Sequence, residues 1–168
     1  MDMLDMLRRT GGLSALSNRL ALTPAQSMQI AGTFVPYLLA GFGRAFRREG
    51  KSAFLTRLGR LGGADMAQRA LTPGAIAPAL GDAVLAIAFG TPAITGRIER
   101  ALRDAVAIDA DDYREAMRLL ALLLGGYLAA RAEQVELGVT DGIESLLDQA
   151  ADDPLAMIEA EGPSEQGE

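Results

Sequence analysis

Two long stretches constrain what this chain can become. Leu20 to Phe42 contains no charged side chain, and Leu119 to Ala130 is strictly apolar between Arg118 and Arg131. Both carry the same local pattern: Leu38-Leu39-Ala40-Gly41-Phe42 recurs as Leu123-Leu124-Gly125-Gly126-Tyr127. Each is preceded by a helix-start signal, Thr23-Pro24-Ala25-Gln26 in one and Asp109-Ala110-Asp111-Asp112 in the other. No segment of any length alternates apolar and polar residues with period two, so strands are not expected. The pattern calls for buried helices. It also suggests two related helical repeats, about 3–48 and 92–134, each containing a long apolar helix.

The expected fold is therefore all-α, a compact multihelical single domain over residues 1–150. Residues 151–168 form an acidic tail expected to be at least partly disordered. A hydrophobic fraction of 49% is ample for one core, and only 5% of residues are aromatic. The core must then come from Leu, Ala, Ile and Met, for which helix is favourable. The two long helices are expected to pack on each other near the centre, with shorter amphipathic helices around them.

Local signals place most of these elements. Leu4, Leu7, Leu13, Leu16 and Leu20 suggest two short helices broken at Gly11-Gly12. Thr23 is placed as an N-cap, with Pro24 at the first helical position and Gln26 completing a capping box. Pro36 lies well inside the helix that follows and predicts a kink or a break there. Phe54, Leu55, Leu58 and Leu61 make a short amphipathic helix closed by Gly62-Gly63. Thr72-Pro73-Gly74 reads as a turn or a helix start. Ile76, Leu80, Val84 and Ile87 lie on one helical face, and Phe89-Gly90-Thr91-Pro92 ends that helix and begins another. The next helix carries Ile94, Ile98, Leu102 and Val106 in one stripe, with Glu99–Arg103 and Arg100–Asp104 spaced as i,i+4 ion pairs. Asp109 is expected to cap a helix over about 110–134. Asp141 and Glu144 have the spacing of a further cap.

The residue inventory excludes much chemistry. The chain has no Cys and no His. Disulfides, thiolate metal sites, the usual zinc ligand and the Ser-His and Cys-His dyads are absent with them. Any catalysis would have to use carboxylates, Arg, Tyr or the lone Lys51, so no enzyme activity, catalytic residue, metal or cofactor is expected. The cluster of Asp109, Asp111, Asp112 and Glu115 lacks calcium-loop spacing and suits a helix N-terminus instead. Gly41-Phe42-Gly43-Arg44 lacks a phosphate-loop context, and close helix packing accounts for it better. A helix-turn-helix over Leu13–Phe34 would have an uncharged second helix, which suits burial and not a DNA groove. The apolar runs are too short or too polar for a membrane span. The acidic N-terminus, with Arg8 and Arg9 close behind, does not read as a secretory signal. A cytoplasmic location is expected.

Charge is uneven. Residues 1–108 hold 13 Lys and Arg against 7 Asp and Glu, while residues 109–168 hold 3 against 15. The densest basic group is Arg44, Arg47, Arg48 and Lys51, which would share one face of a continuous helix. Arg57 and Arg60 extend it, and Phe42, Phe46 and Phe54 are interleaved. This Arg44–Arg60 segment is a candidate anion-contact surface for nucleic acid or acidic lipid. It could equally pair with the acidic C-terminal segment. A net charge of −6 works against nucleic acid as the partner.

The order of motifs resembles the YidB-like family of small bacterial proteins, a family of unknown function. The residues that carry the resemblance are Leu4 to Leu7, Gly11-Gly12-Leu13, Leu16 to Leu22, Pro36 to Gly41, Gly81 to Phe89-Gly90, and Leu119 to Tyr127, spanning about 3–131. The basic stretch between Gly43 and Gly63 and the acidic start of the second repeat depart from the pattern. The resemblance implies an all-α multihelical fold and carries no activity, cofactor or site residue with it. Together these readings favour a non-enzymatic helical module for protein–protein contact or self-association, with an unknown protein partner or a second copy. A carrier with an apolar cavity between the two long helices is a further expectation.

Overall fold

The computed structural model describes residues 3–136 and Leu147. These form eight α-helices: α1 (Met3–Thr10), α2 (Gly12–Leu20), α3 (Pro24–Glu49), α4 (Lys51–Arg60), α5 (Asp65–Leu71), α6 (Pro78–Phe89), α7 (Pro92–Ala105) and α8 (Ala110–Glu136). No strand occurs among the described residues. The Asp141–Glu144 cap and the acidic tail lie outside them.

The helix boundaries follow the local chemistry. Gly11, with φ of 89°, separates α1 from α2. Thr23 and Gln26 form a full capping box: the Gln26 amide donates to Thr23 Oγ1 at 3.1 Å, and the Thr23 amide donates to Gln26 Oε1 at 3.0 Å. Two of the orphan amides at the start of α3 are thereby satisfied. Gly50 ends α3 and starts α4 at φ of 89°. Pro92 opens α7, whose first turns leave α6 at an angle of 99°. The Asp109 carbonyl accepts from the Asp112 and Tyr113 amides, at 3.0 and 3.2 Å, as α8 begins.

Pro36 does not break α3, which runs unbroken through it. A proline removes its own amide bond to the carbonyl four residues back, here that of Gly32. Both Pro36 and Gly32 are exposed, so water can take the released carbonyl. The helix also keeps Ala25 and Gln29 exposed, while Ile30, Phe34, Val35, Leu38 and Phe42 are buried.

The centre belongs to α6. The two long helices do touch, as expected, but each packs more on others: α3 packs most on α6, and α8 packs most on α5 and α6. The reason lies in small residues. A Cβ on Gly41 would stand 2.5 Å from the Ala88 carbonyl oxygen, and one on Gly81 would stand 2.5 Å from Arg118 Cβ. α6 is thus clasped between α3 and α8 at distances only glycine allows. Gly126 makes the same approach from α8 to α5, 2.5 Å from the Ala67 amide nitrogen. α6 buries Gly81, Val84, Leu85, Ile87, Ala88 and Phe89. Ile76 lies before its first turn, so within α6 the expected stripe starts four residues later, at Leu80.

The rest of the core closes around this stack. Every residue from Leu119 to Ala129 is buried. Phe34 meets Phe89 with ring centroids 6.0 Å apart, and Phe54 meets Phe42 and Phe46 at 6.0 and 5.9 Å. Ile98, Leu102 and Val106 face inward from α7 and its end, and Ile94 is half-buried. Glu99 joins Arg103 within α7 at 3.5 Å and also reaches Arg114 of α8 at 3.7 Å. Ser27 is the only buried polar side chain among the described residues, and its hydroxyl meets that of Ser17 at 2.6 Å. No single described helix is long and apolar enough to cross a membrane.

Candidate functional site

The basic segment folds into a corner and not one continuous stripe. Arg44, Arg47 and Arg48 occupy the last turns of α3; Lys51, Arg57 and Arg60 belong to α4. The break at Gly50 removes the single helical face that would have aligned Arg44, Arg47, Arg48 and Lys51. Glu49 sits inside the corner with its side chain 18% exposed and binds Arg57 at 2.5 Å and Arg48 at 3.6 Å. One carboxylate thus serves two guanidinium groups. Arg44 and Arg57 are half-buried, while Arg47, Arg48, Lys51 and Arg60 are exposed. Among the described residues, Arg47 and Arg60 have no ion pair. The interleaved phenylalanines do not form an outward stacking platform: Phe42 and Phe54 are fully buried and Phe46 packs against Phe54. The corner therefore offers charge without base-stacking surface.

Of the acidic cluster at the start of α8, Glu115 Oε1 accepts from Arg118 at 2.7 Å. Among the described residues no three carboxylates come together in a way that could hold a metal ion.

Two arginines that composition and spacing did not single out organise the opposite side. Arg19, from α2, donates through Nε to the Ala70 carbonyl at 3.1 Å and through its terminal nitrogens to Arg69, Thr72 and Gly74 carbonyls at 3.2, 2.6 and 2.8 Å. It caps the C-terminal end of α5, where unpaired carbonyls and the helix dipole favour a cation. Arg118 donates to both carboxylate oxygens of Asp82, at 2.8 and 3.5 Å, and to Glu115. The Asp82 bond, followed by Glu115 and the charges of both, raises its pKa further against the opposing cost of burial. A cleft of about 270 Å³ opens between these arginines, walled by Leu20, Ile76, Leu119 and Leu122. Neither guanidinium is left without partners, so the cleft lacks a poised charge. It borders α2 and α8.

The remaining surface of note is the outer side of α3. Ala25, Gln29, Gly32 and Pro36 are exposed in successive turns, with Met28, Thr33 and Tyr37 half-exposed beside them. A Cβ at Gly32 would meet nothing within 4 Å. Solvent-facing helix sides ordinarily carry charges; this one has none from Leu20 to Gly43. No protein-family model matches the chain, and no curated protein or solved structure was found to be similar to it.

Proposed function

We propose that the protein is a non-enzymatic helical module that associates with a second copy of itself through the outer face of α3. One observation carries this reading: an exposed, uncharged helix side about three turns long, small at Gly32 and flanked by Met28 and Tyr37. Two copies of such a face meet without like-charge repulsion, although each chain carries −6. A two-fold contact is self-complementary by construction, and an open glycine at its centre lets two helix backbones approach. The absence of His and Cys from the sequence supports contact, and not catalysis, as the mode of action. The relation to YidB-like proteins and the descent of the two apolar segments from one repeat form part of the same proposal, supported by the shared Leu-Leu-small-Gly-aromatic pattern.

The chain's lack of cysteine gives a clean test. A Gly32→Cys variant, oxidised under dilute conditions, should form disulfide-linked dimers rapidly. Ala53→Cys, exposed on α4, should not. Equal and slow cross-linking at both positions would overturn the proposal.

A further inference from the structure

The sharp corner between α6 and α7 encloses a cleft. α7 leaves α6 at 99° after Gly90, whose φ is 80°. The first turns of α7 thereby wall one side of a cleft of about 320 Å³ whose other sides come from α6 and α8. Leu85 and Met117, both buried, form an apolar floor. Four polar side chains surround it: Asp82 on α6, Thr91 and Thr95 at the start of α7, and Arg114 on α8. A concave apolar surface with a few polar groups converging on it is the usual make-up of a small-molecule site. We propose that this cleft binds a small apolar α-amino acid as its zwitterion, with the ammonium on Asp82 and the carboxylate on Arg114.

The side chains of Asp82 and Arg114 are 54% and 56% exposed, and each retains bonding capacity. Arg118 takes Asp82 Oδ1 at 2.8 Å but reaches Oδ2 only at 3.5 Å, and a carboxylate has further lone pairs to offer. Arg114 meets Glu99 through Nε at 3.7 Å, longer than a hydrogen bond, and its guanidinium carries further donors. Arg114 precedes Arg118 by one turn of α8, about 5.4 Å. The carboxylate that Arg118 holds and the Arg114 guanidinium therefore stand close enough for one small zwitterion. Thr91 begins α7 without capping it through its side chain, and Thr95 Oγ1 bonds the Thr91 carbonyl only at 3.4 Å, so both hydroxyls can supplement Arg114. The ligand's side chain then covers Leu85 and Met117. A charged side chain there would lose water without gaining a partner, which selects an apolar one. No residue of α3 lines the cleft, so the inference is independent of association through that helix.

The experiment titrates L-leucine into the isotope-enriched full chain and follows amide chemical shifts. The signals of Thr91, Thr95 and Met117 should move and saturate. Two analogues, 4-methylpentanoate without the ammonium and 3-methylbutylamine without the carboxylate, should each bind at least about tenfold more weakly, for the loss of a charged hydrogen-bonding group. Arg114→Gln, at an exposed position, should weaken leucine by a similar factor with unchanged helical circular dichroism. Asp82→Asn should erase the preference for leucine over 4-methylpentanoate, a change that loosened packing alone would not produce. Shifts that never saturate up to the solubility limit of leucine, or that fall outside this corner, would overturn the proposal. Equal binding of leucine and 4-methylpentanoate by the wild-type chain would overturn it too, as would unchanged leucine binding in Arg114→Gln.

Discussion

Tyr127 of α8 donates its phenolic proton to Thr10 Oγ1 at the end of α1. The direction follows from Thr10 itself, whose hydroxyl donates to the Met6 carbonyl at 2.8 Å. The bond ties the N-terminal helix to the most buried helix of the fold. It also makes the phenol sensitive to pH, because a phenolate has no proton to give.

Burial raises the Tyr127 pKa above its ordinary value. The unfolded chain therefore loses this proton first. Stability is fully present below pH about 10, the unfolded value, and falls as pH rises through the higher folded value. Urea midpoints measured between neutral and alkaline pH should decline in that window. Tyr127→Phe should cost about 0.5–1.5 kcal/mol at neutral pH for the lost bond and should shrink the alkaline decline.

The glycine contacts predict opposite signs at different positions. Gly126→Ala puts a Cβ 2.5 Å from the Ala67 amide nitrogen, where backbone and not a pliant side chain must move. Overpacking of this kind costs about 1–3 kcal/mol. Gly96, inside α7, has nothing within 4 Å of its Cβ position. Gly96→Ala should stabilise by about 0.5–1 kcal/mol through helix propensity alone. Chemical denaturation of the two variants distinguishes them.

Ala21 ends α2 in the left-handed region, at φ of 53°, and is the only non-glycine residue with positive φ among those described. Such a conformation costs a residue with a Cβ about 1–2 kcal/mol. Glycine avoids that cost but raises the entropy of the unfolded chain by an opposing amount of about 0.4–1 kcal/mol. Ala21→Gly should therefore give a small net gain in thermal midpoint.

Arg19 donates to four backbone carbonyls at the end of α5 and in the turn after it. Arg19→Met keeps the aliphatic stem and removes all four bonds. Hydrogen exchange should accelerate through α5 and residues 72–74, with global stability falling by about 1–3 kcal/mol for loss of the charged donor to these carbonyls. An unchanged exchange pattern would mean that the α5 end holds itself.

What could be read from sequence divides by the range of the interaction. Thr23, Pro24 and Gln26 announce the start of α3 because a cap is local chemistry. Gly11 marks a break for the same reason, whereas the break at Gly50, which splits the basic stripe, does not show in the spacing of Arg44, Arg47, Arg48 and Lys51. The stripe of Ile98, Leu102 and Val106 is legible because one helix face repeats. The central place of α6 is not, because it depends on which glycine meets which helix: Gly41 on Ala88 and Gly81 on Arg118 are pairings across 47 and 37 residues of sequence. α5 passed unseen because its seven residues are too few for periodicity to show. The role of Arg19 is not legible either, since its carbonyl partners lie about fifty residues away. The basic residues themselves were visible, but the inward packing of Phe42, Phe46 and Phe54 was not.

The central claim is that the uncharged face of α3 joins two copies of the chain. Sedimentation equilibrium across a wide dilution range tests it most directly, on the wild-type chain and on a variant with Gln29→Glu and Gly32→Glu. The account predicts a reversible monomer–dimer equilibrium for the wild type and a monomer for the variant, with unchanged helical circular dichroism. A wild-type chain that stays monomeric at the highest concentration, or a variant that dimerises equally well, would contradict it.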